Sequence, residues 1–190
     1  VNAPVTRLFV AVDPSDPVCE TLAGACRGLD GARWTRPDQY HVTLRFLGPV
    51  DDALVPRIAG ALRAIDVPAF DVEAKGFGVF PSFRAPRVLW SGLLPPEPLE
   101  ALHAAIETRV AAAGVAAADE KRFSPHLTLA RLDRTPGSAV RDWIGRREPF
   151  SAGPWRVDAF ILYASTLTPS GAIHRKLEIY PLAARAPSGE

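Results

Sequence analysis

His41-Val42-Thr43-Leu44 and His126-Leu127-Thr128-Leu129 are two copies of the tetrapeptide His-x-Thr-Leu, 85 residues apart. The chain has four histidines, so half of them fall in matched positions. In an extended strand side chains alternate with a period of two, so His-x-Thr sets imidazole and hydroxyl on one face. Two such strands side by side present two imidazoles and two hydroxyls to one cleft. A single strand histidine reads as an ordinary half-buried residue. The repetition makes His41 and His126 candidate catalytic groups, since imidazole titrates near ~6.5 and serves as acid or base at neutral pH. Such a pair suits acid–base chemistry on an anionic, oxygen-rich centre such as a phosphodiester. Thr43 and Thr128 are good strand formers, and beside those histidines they are candidate donors to nonbridging phosphate oxygens.

Outward from the motifs, the pattern predicts strands and helices in alternation. Leu8-Phe9-Val10-Ala11-Val12 reads as a buried strand closed by Asp13-Pro14. Helical spacing follows over 16–29, and Trp34 and Pro37 mark a loop. The first motif strand spans 40–47 and stops at Gly48-Pro49. A helix capped by Asp51 or Asp52 runs to about Ile65. Strands over 70–80 and 87–93 flank a proline-rich turn as a hairpin. An Ala-rich helix starts near Glu97 and ends at Gly114, and the second motif strand covers 126–132. A helix over 138–146, a strand over 155–165 and a last strand over 173–180 complete the expectation. The expected fold is α+β: two lobes related by a pseudo-twofold axis, duplicated antiparallel sheets with helices packed outside, and a cleft between the motif strands. Residues 1–182 are expected to form this one domain, and 183–190 a disordered tail.

The chain has 190 residues, 47% apolar and 23% charged, which is ample for a core. A net charge of +1 gives no global drive toward nucleic acid, so a polyanion site needs local clustering of basic residues. No apolar run nears the ~20 residues that span a bilayer, and the start lacks a signal-peptide pattern. A cytoplasmic protein without membrane contact is expected. Cys19 and Cys26 lack Cys-x-x-Cys spacing and read as buried free thiols.

Other candidates divide. Two histidines make a poor zinc set, which wants three or four ligands, so no metal and no cofactor are expected. Arg131 is an odd number of residues after His126 and falls on the opposite face of a regular strand, so a functional role for it needs a bulge or twist and the local pattern favours a solvent-facing charge. Arg45 is four after His41 and falls on the histidine face. The residues alone rate the two equally as phosphate clamps. His103, in the Ala-rich helix, reads as surface or satisfied core; His174 follows the Gly171 turn and could approach the cleft, but a surface position is the better reading. Gly76-Phe77-Gly78 lacks the pattern and following helix of a nucleotide loop.

The residues also resemble a known family. His41-Val42-Thr43-Leu44-Arg45-Phe46-Leu47-Gly48 and Phe123-Ser124-Pro125-His126-Leu127-Thr128-Leu129-Ala130-Arg131 are similar to the two motif blocks of the two-histidine phosphoesterases. Arg7 to Val12, Pro86 to Trp90, and Leu162 to Ser165 with Leu167 to Gly171 look like other segments of the RNA 2′,3′-cyclic phosphodiesterases, historically called 2′-5′ RNA ligases. The resemblance implies metal-independent hydrolysis of RNA 2′,3′-cyclic phosphate ends to 2′-phosphates, with ATP-independent 2′-5′ ligation as a related reaction. It implies His41 as proton donor, His126 as proton acceptor, and Arg131 rather than Arg45 on the phosphate. The implied partner is RNA with a cyclic phosphate end, such as a tRNA fragment, met by a monomer. Related chains commonly carry Tyr where this one has His174. Two alternatives stay open: the same chemistry on a small cyclic nucleotide or another 2′-linked diester, and a non-catalytic RNA-end binding module.

Overall fold

The structure, a computed structural model, describes residues 4–116, 123–169 and 171–184. Among the described residues nine strands form one antiparallel sheet: β1 (Val5–Val12), β2 (Ala32–Trp34), β3 (Val42–Asp51), β4 (Phe70–Phe80), β5 (Val88–Leu94), β6 (His126–Leu132), β7 (Ser151–Val157), β8 (Ala159–Thr168) and β9 (Gly171–Pro181). The order across the sheet is β7-β4-β5-β6-β3-β1-β8-β9, with β2 added to β6. Among the described residues four α-helices accompany it: α1 (Asp16–Ala25), α2 (Val55–Leu62), α3 (Glu97–Ala112) and α4 (Gly137–Gly145).

The two half-sheets, β7-β4-β5-β6 and β3-β1-β8-β9, meet through a single register pair, Val42 with Leu127. Both side chains are fully buried beneath the sheet. The expected pseudo-twofold axis passes through this pair, so the two motif strands are its central elements.

The helices cover the opposite face from the cleft. Each buries an apolar stripe, as amphipathic spacing demands: Val18 and Leu22 from α1, Ile58 and Leu62 from α2, Leu99, Leu102, Ile106 and Val110 from α3, Val140 and Trp143 from α4. On β1, Leu8, Val10 and Val12 join that core, while Phe9 and Ala11 pack with Ile161 and Tyr163 on the other face. Its unbroken apolar run reflects burial on both sides.

Three expectations change. The strand foreseen over 155–165 is two strands, β7 and β8, broken at Asp158. The chain there passes from one half-sheet to the other, a corner hidden in sequence because apolar residues continue on both sides of it. The loop at Trp34 holds a short strand, β2, before a 3-10 turn at Pro37–Gln39. Ala183, expected to open the tail, exchanges backbone hydrogen bonds with Val67 and Ala69; residues 185–190 lie outside the described residues. Cys19 and Cys26 are free and half-buried. Burial, then Asp16 and Asp13, push the Cys19 thiol up to about 11, which makes it a poor nucleophile. Among the described residues no helix is long and apolar enough to cross a membrane.

Trp143 ties α4 to the end of α1. It is fully buried, its indole N–H donates to the Arg27 carbonyl at 2.8 Å, and the Arg147 guanidinium lies 4.0 Å from the centre of its ring. Trp143→Ala should cost about 3–5 kcal/mol of stability, the range for deleting a large aromatic from a core. Urea unfolding followed by far-UV circular dichroism checks this; a loss below about 1 kcal/mol, a typical surface value, would contradict it.

Candidate active site

Continuing the Val42–Leu127 register by one residue each way sets Thr43 across from His126 and His41 across from Thr128. All four point away from the buried pair, so they form a near-symmetric rectangle on the cleft face. Each is half-buried. Neither threonine hydroxyl has a protein partner among the described residues, which leaves both free to donate to a ligand.

The imidazoles are oriented alike. His41 Nδ1 lies 2.8 Å from the Gln39 carbonyl, and His126 Nδ1 lies 2.7 Å from the Ser124 carbonyl. A carbonyl oxygen only accepts, so in each ring Nδ1 carries the proton and neutral Nε2 presents a lone pair. Burial pushes both pKa values below the ordinary histidine value, while those carbonyls act the other way. For His41, the neighbouring His174 and His126 lower it further and the Asp13 carboxylate raises it. The net effect on both imidazoles favours the neutral form.

Aromatic residues make the floor on both sides. Phe9 stacks on Tyr163 and lies 5.1 Å from His41. On the other side Phe80 meets His126 edge-on at 4.9 Å and packs on Trp90 at 5.2 Å. Gly78 is required there: a Cβ would sit 2.2 Å from the Trp90 ring.

The two arginines are separated by a feature absent from the alternation rule. In β3, Ala11 pairs with Thr43 and Val10 with Arg45, so Leu44 is the extra residue of a β-bulge. In β6, Trp90 pairs with Thr128 and Leu89 with Ala130, so Leu129 is the extra residue. Both bulges fall on the Leu of His-x-Thr-Leu. A bulge reverses the facing of everything after it. Arg45, expected on the histidine face, turns away and pairs with Glu107 of α3 and the Ala116 carbonyl. Arg131, expected opposite, joins the histidine face: Ala130 and Leu132 are buried around it while it is exposed.

His103 is a satisfied structural residue. Its Nδ1 lies 2.8 Å from the Leu44 carbonyl and its ring stacks on Phe123. His174, expected at the surface, instead stands in the cleft 5.3 Å from the His41 ring, with Nδ1 buried and unpartnered. It lines a cavity of about 380 Å³ beside His41 with Asp13, Tyr163 and Lys176. There Asp13 accepts from the Tyr163 hydroxyl at 2.7 Å and pairs with Lys176 at 2.8 Å. Asp13, Tyr163 and Lys176 escaped sequence reading because they gather from the end of β1, from β8 and from β9, and none sits in a repeated motif. Among the described residues no group of three or more His, Cys, Asp or Glu is placed to hold a metal ion.

This is the site architecture of a two-histidine phosphoesterase. The family model for LigT-like phosphoesterases matches residues 12–90 and 93–174, and the chain belongs to that family. An RNA 2′,3′-cyclic phosphodiesterase of Archaeoglobus fulgidus is 32% identical over 177 residues, 92% of this chain and 99% of that one. One from Thermotoga maritima is 32% identical over 179 residues, 90% of this chain and 92% of its own. Among solved structures, the TT0787 protein of Thermus thermophilus superposes with a TM-score of 0.77 at 26% identity, over 95% of this chain and 100% of that one. E. coli LigT in apo form gives 0.73 at 25% identity, over 95% and 99%.

The burial of both imidazoles has a direct consequence. In NMR titrations His41 and His126 should both protonate below the ~6.5 of a free imidazole, with assignments from single alanine variants. Either group titrating above ~7 in the free protein, on the far side of that reference value, would contradict the desolvated site.

Proposed function

We propose that this protein hydrolyses the terminal 2′,3′-cyclic phosphate of RNA to a 2′-phosphate. One observation carries the reading: two imidazoles, each with Nδ1 committed to a backbone carbonyl, face one cleft across a pseudo-twofold axis. The names of the Archaeoglobus and Thermotoga relatives supply the substrate class.

In the proposed mechanism the cyclic phosphate sits over the Val42–Leu127 join. His126 Nε2 takes a proton from water as its oxygen attacks phosphorus. The P–O3′ bond breaks in line, and a protonated His41 delivers its Nε2 proton to the departing O3′. Atoms and charge balance, with the two histidines left in exchanged protonation states that solvent resets. The assignment of His41 as acid follows the resemblance to the two-histidine family; the Asp13 carboxylate acts toward holding a proton on His41, while burial and His174 act the other way. Thr43, Thr128 and Arg131 donate to the equatorial oxygens, where charge gathers in the transition state. Anionic phosphate between the imidazoles favours protonating one of them, which offsets the effect of burial. Because the pair handles both proton transfers, the mechanism needs no cofactor and no metal. An RNA 5′-hydroxyl in place of water would give ATP-independent 2′-5′ ligation. The protein acts as a cytoplasmic monomer, and tRNA fragments are among its suitable substrates.

His41→Ala and His126→Ala should each lower turnover of a cyclic-phosphate oligoribonucleotide by roughly 10²–10⁴-fold. The double variant should be little worse than the poorer single, because the two act as a unit. Phosphorus NMR of the wild-type product should show a 2′-phosphate. Near-normal activity in either single variant ends the assignment of that histidine; a 3′-phosphate reverses the ribose orientation. A binding module without catalysis predicts no turnover in any of these proteins.

Activity should survive exhaustive dialysis against EDTA. Loss that one added divalent metal restores would overturn the metal-free mechanism.

A further inference from the structure

Arg33 of β2 stands directly across from Arg131 of β6 in an antiparallel register. Their neighbours on these strands face the core: Trp34 packs against Trp143, and Ala130 and Leu132 are buried. The two guanidinium side chains therefore share the opposite face, the one that carries His126 and Thr128. Both are exposed, and among the described residues neither has a carboxylate or any other hydrogen-bond partner. Like charges directly opposed on a ladder destabilise the sheet. A pair of this kind is satisfied by an anion that bridges it.

The position of the pair says which anion. Thr128 is opposite Trp90 and Arg131 opposite Val88, so the pair lies two ladder steps beyond Thr128. That is ~7 Å at ~3.4 Å per strand residue, a reach that one extended nucleotide spans. The continued register also sets His41 across from Thr128, so the pair lies toward the His41 end of the rectangle. In the proposed reaction O3′ leaves phosphorus on the His41 side, so the ribose that carries it, still joined to phosphorus through O2′, and the RNA strand upstream of that ribose lie toward that end. We infer that Arg33 and Arg131 together hold the phosphodiester one nucleotide upstream of the reacting phosphate, so the site is built for an RNA strand rather than a cyclic mononucleotide. Arg131 spans both groups; Arg33 touches only the upstream one. The inference rests on the cyclic phosphodiesterase reading and names its substrate class.

Arg33→Gln separates the two substrates. On adenosine 2′,3′-cyclic phosphate its kcat/KM should equal that of wild type. On a short oligoadenylate ending in a 2′,3′-cyclic phosphate it should fall about tenfold, the scale of one charge-assisted contact. The salt dependence on the oligonucleotide should shallow by ~0.7 in log–log slope, the loss of one contact to a single strand. The melting temperature should hold or rise, since a like-charge pair is removed. Unchanged oligonucleotide kinetics, or equal losses on both substrates, would overturn the inference. Should wild type turn over neither substrate, the phosphodiesterase reading fails on its own. Fluorescence anisotropy with labelled oligoadenylate 2′-phosphate then reads the pair directly: about tenfold weaker binding by Arg33→Gln supports it, and equal binding overturns it.

Discussion

The cleft depends on how sparingly the two half-sheets are joined. One buried register pair, Val42 with Leu127, holds β3 against β6. Because the strands run antiparallel, that pair sets two His–Thr couples in opposite senses around one axis. In the proposed reaction a phosphorus atom on the axis would meet an imidazole on each of two opposite sides, as in-line displacement requires. A longer ladder between β3 and β6 would flatten the join. A shift of one residue would send every motif side chain into the helical core.

The two bulges complete what the join begins. Placed at Leu44 and Leu129, they let each strand show His and Thr to the cleft and then change which residues follow. On β6 this brings Arg131 to the cleft. On β3 it turns Arg45 back to bind α3 and leaves Phe46, 65% exposed, at the position equivalent to Arg131. The backbone is thus near-symmetric while the chemistry is not. One end of the site is cationic, with Arg131 and Arg33, and the other is aromatic. Strand β9 adds a second difference: His174 and Lys176 crowd the His41 side. Such asymmetry gives like histidines unlike surroundings, which suits the unlike roles proposed for them.

Burial explains the electrostatics. The aromatic floor of Phe9, Tyr163, Phe80 and Trp90 removes water from beneath both imidazoles, which favours their neutral forms. The backbone carbonyls of Gln39 and Ser124 then settle which nitrogen keeps its proton. These carbonyls sit two residues before each histidine, so the tautomer is built into the local chain path and repeated with the motif.

By itself the sequence determined the motif pair, the antiparallel α+β duplication, the central place of β3 and β6, and the helix stripes. Those features are local: they follow from period-two and period-3.6 patterning and from a repeat long enough to stand out. The same rule misassigned both arginines, because a bulge is a register event between two strands and leaves no mark on either alone. It missed Asp13, Tyr163 and Lys176, and preferred the surface for His174, because separate strands bring them together. Only the tertiary structure could decide these, since pairing across the sheet, not spacing along the chain, decides which face a strand residue shows and which distant residues stand beside it.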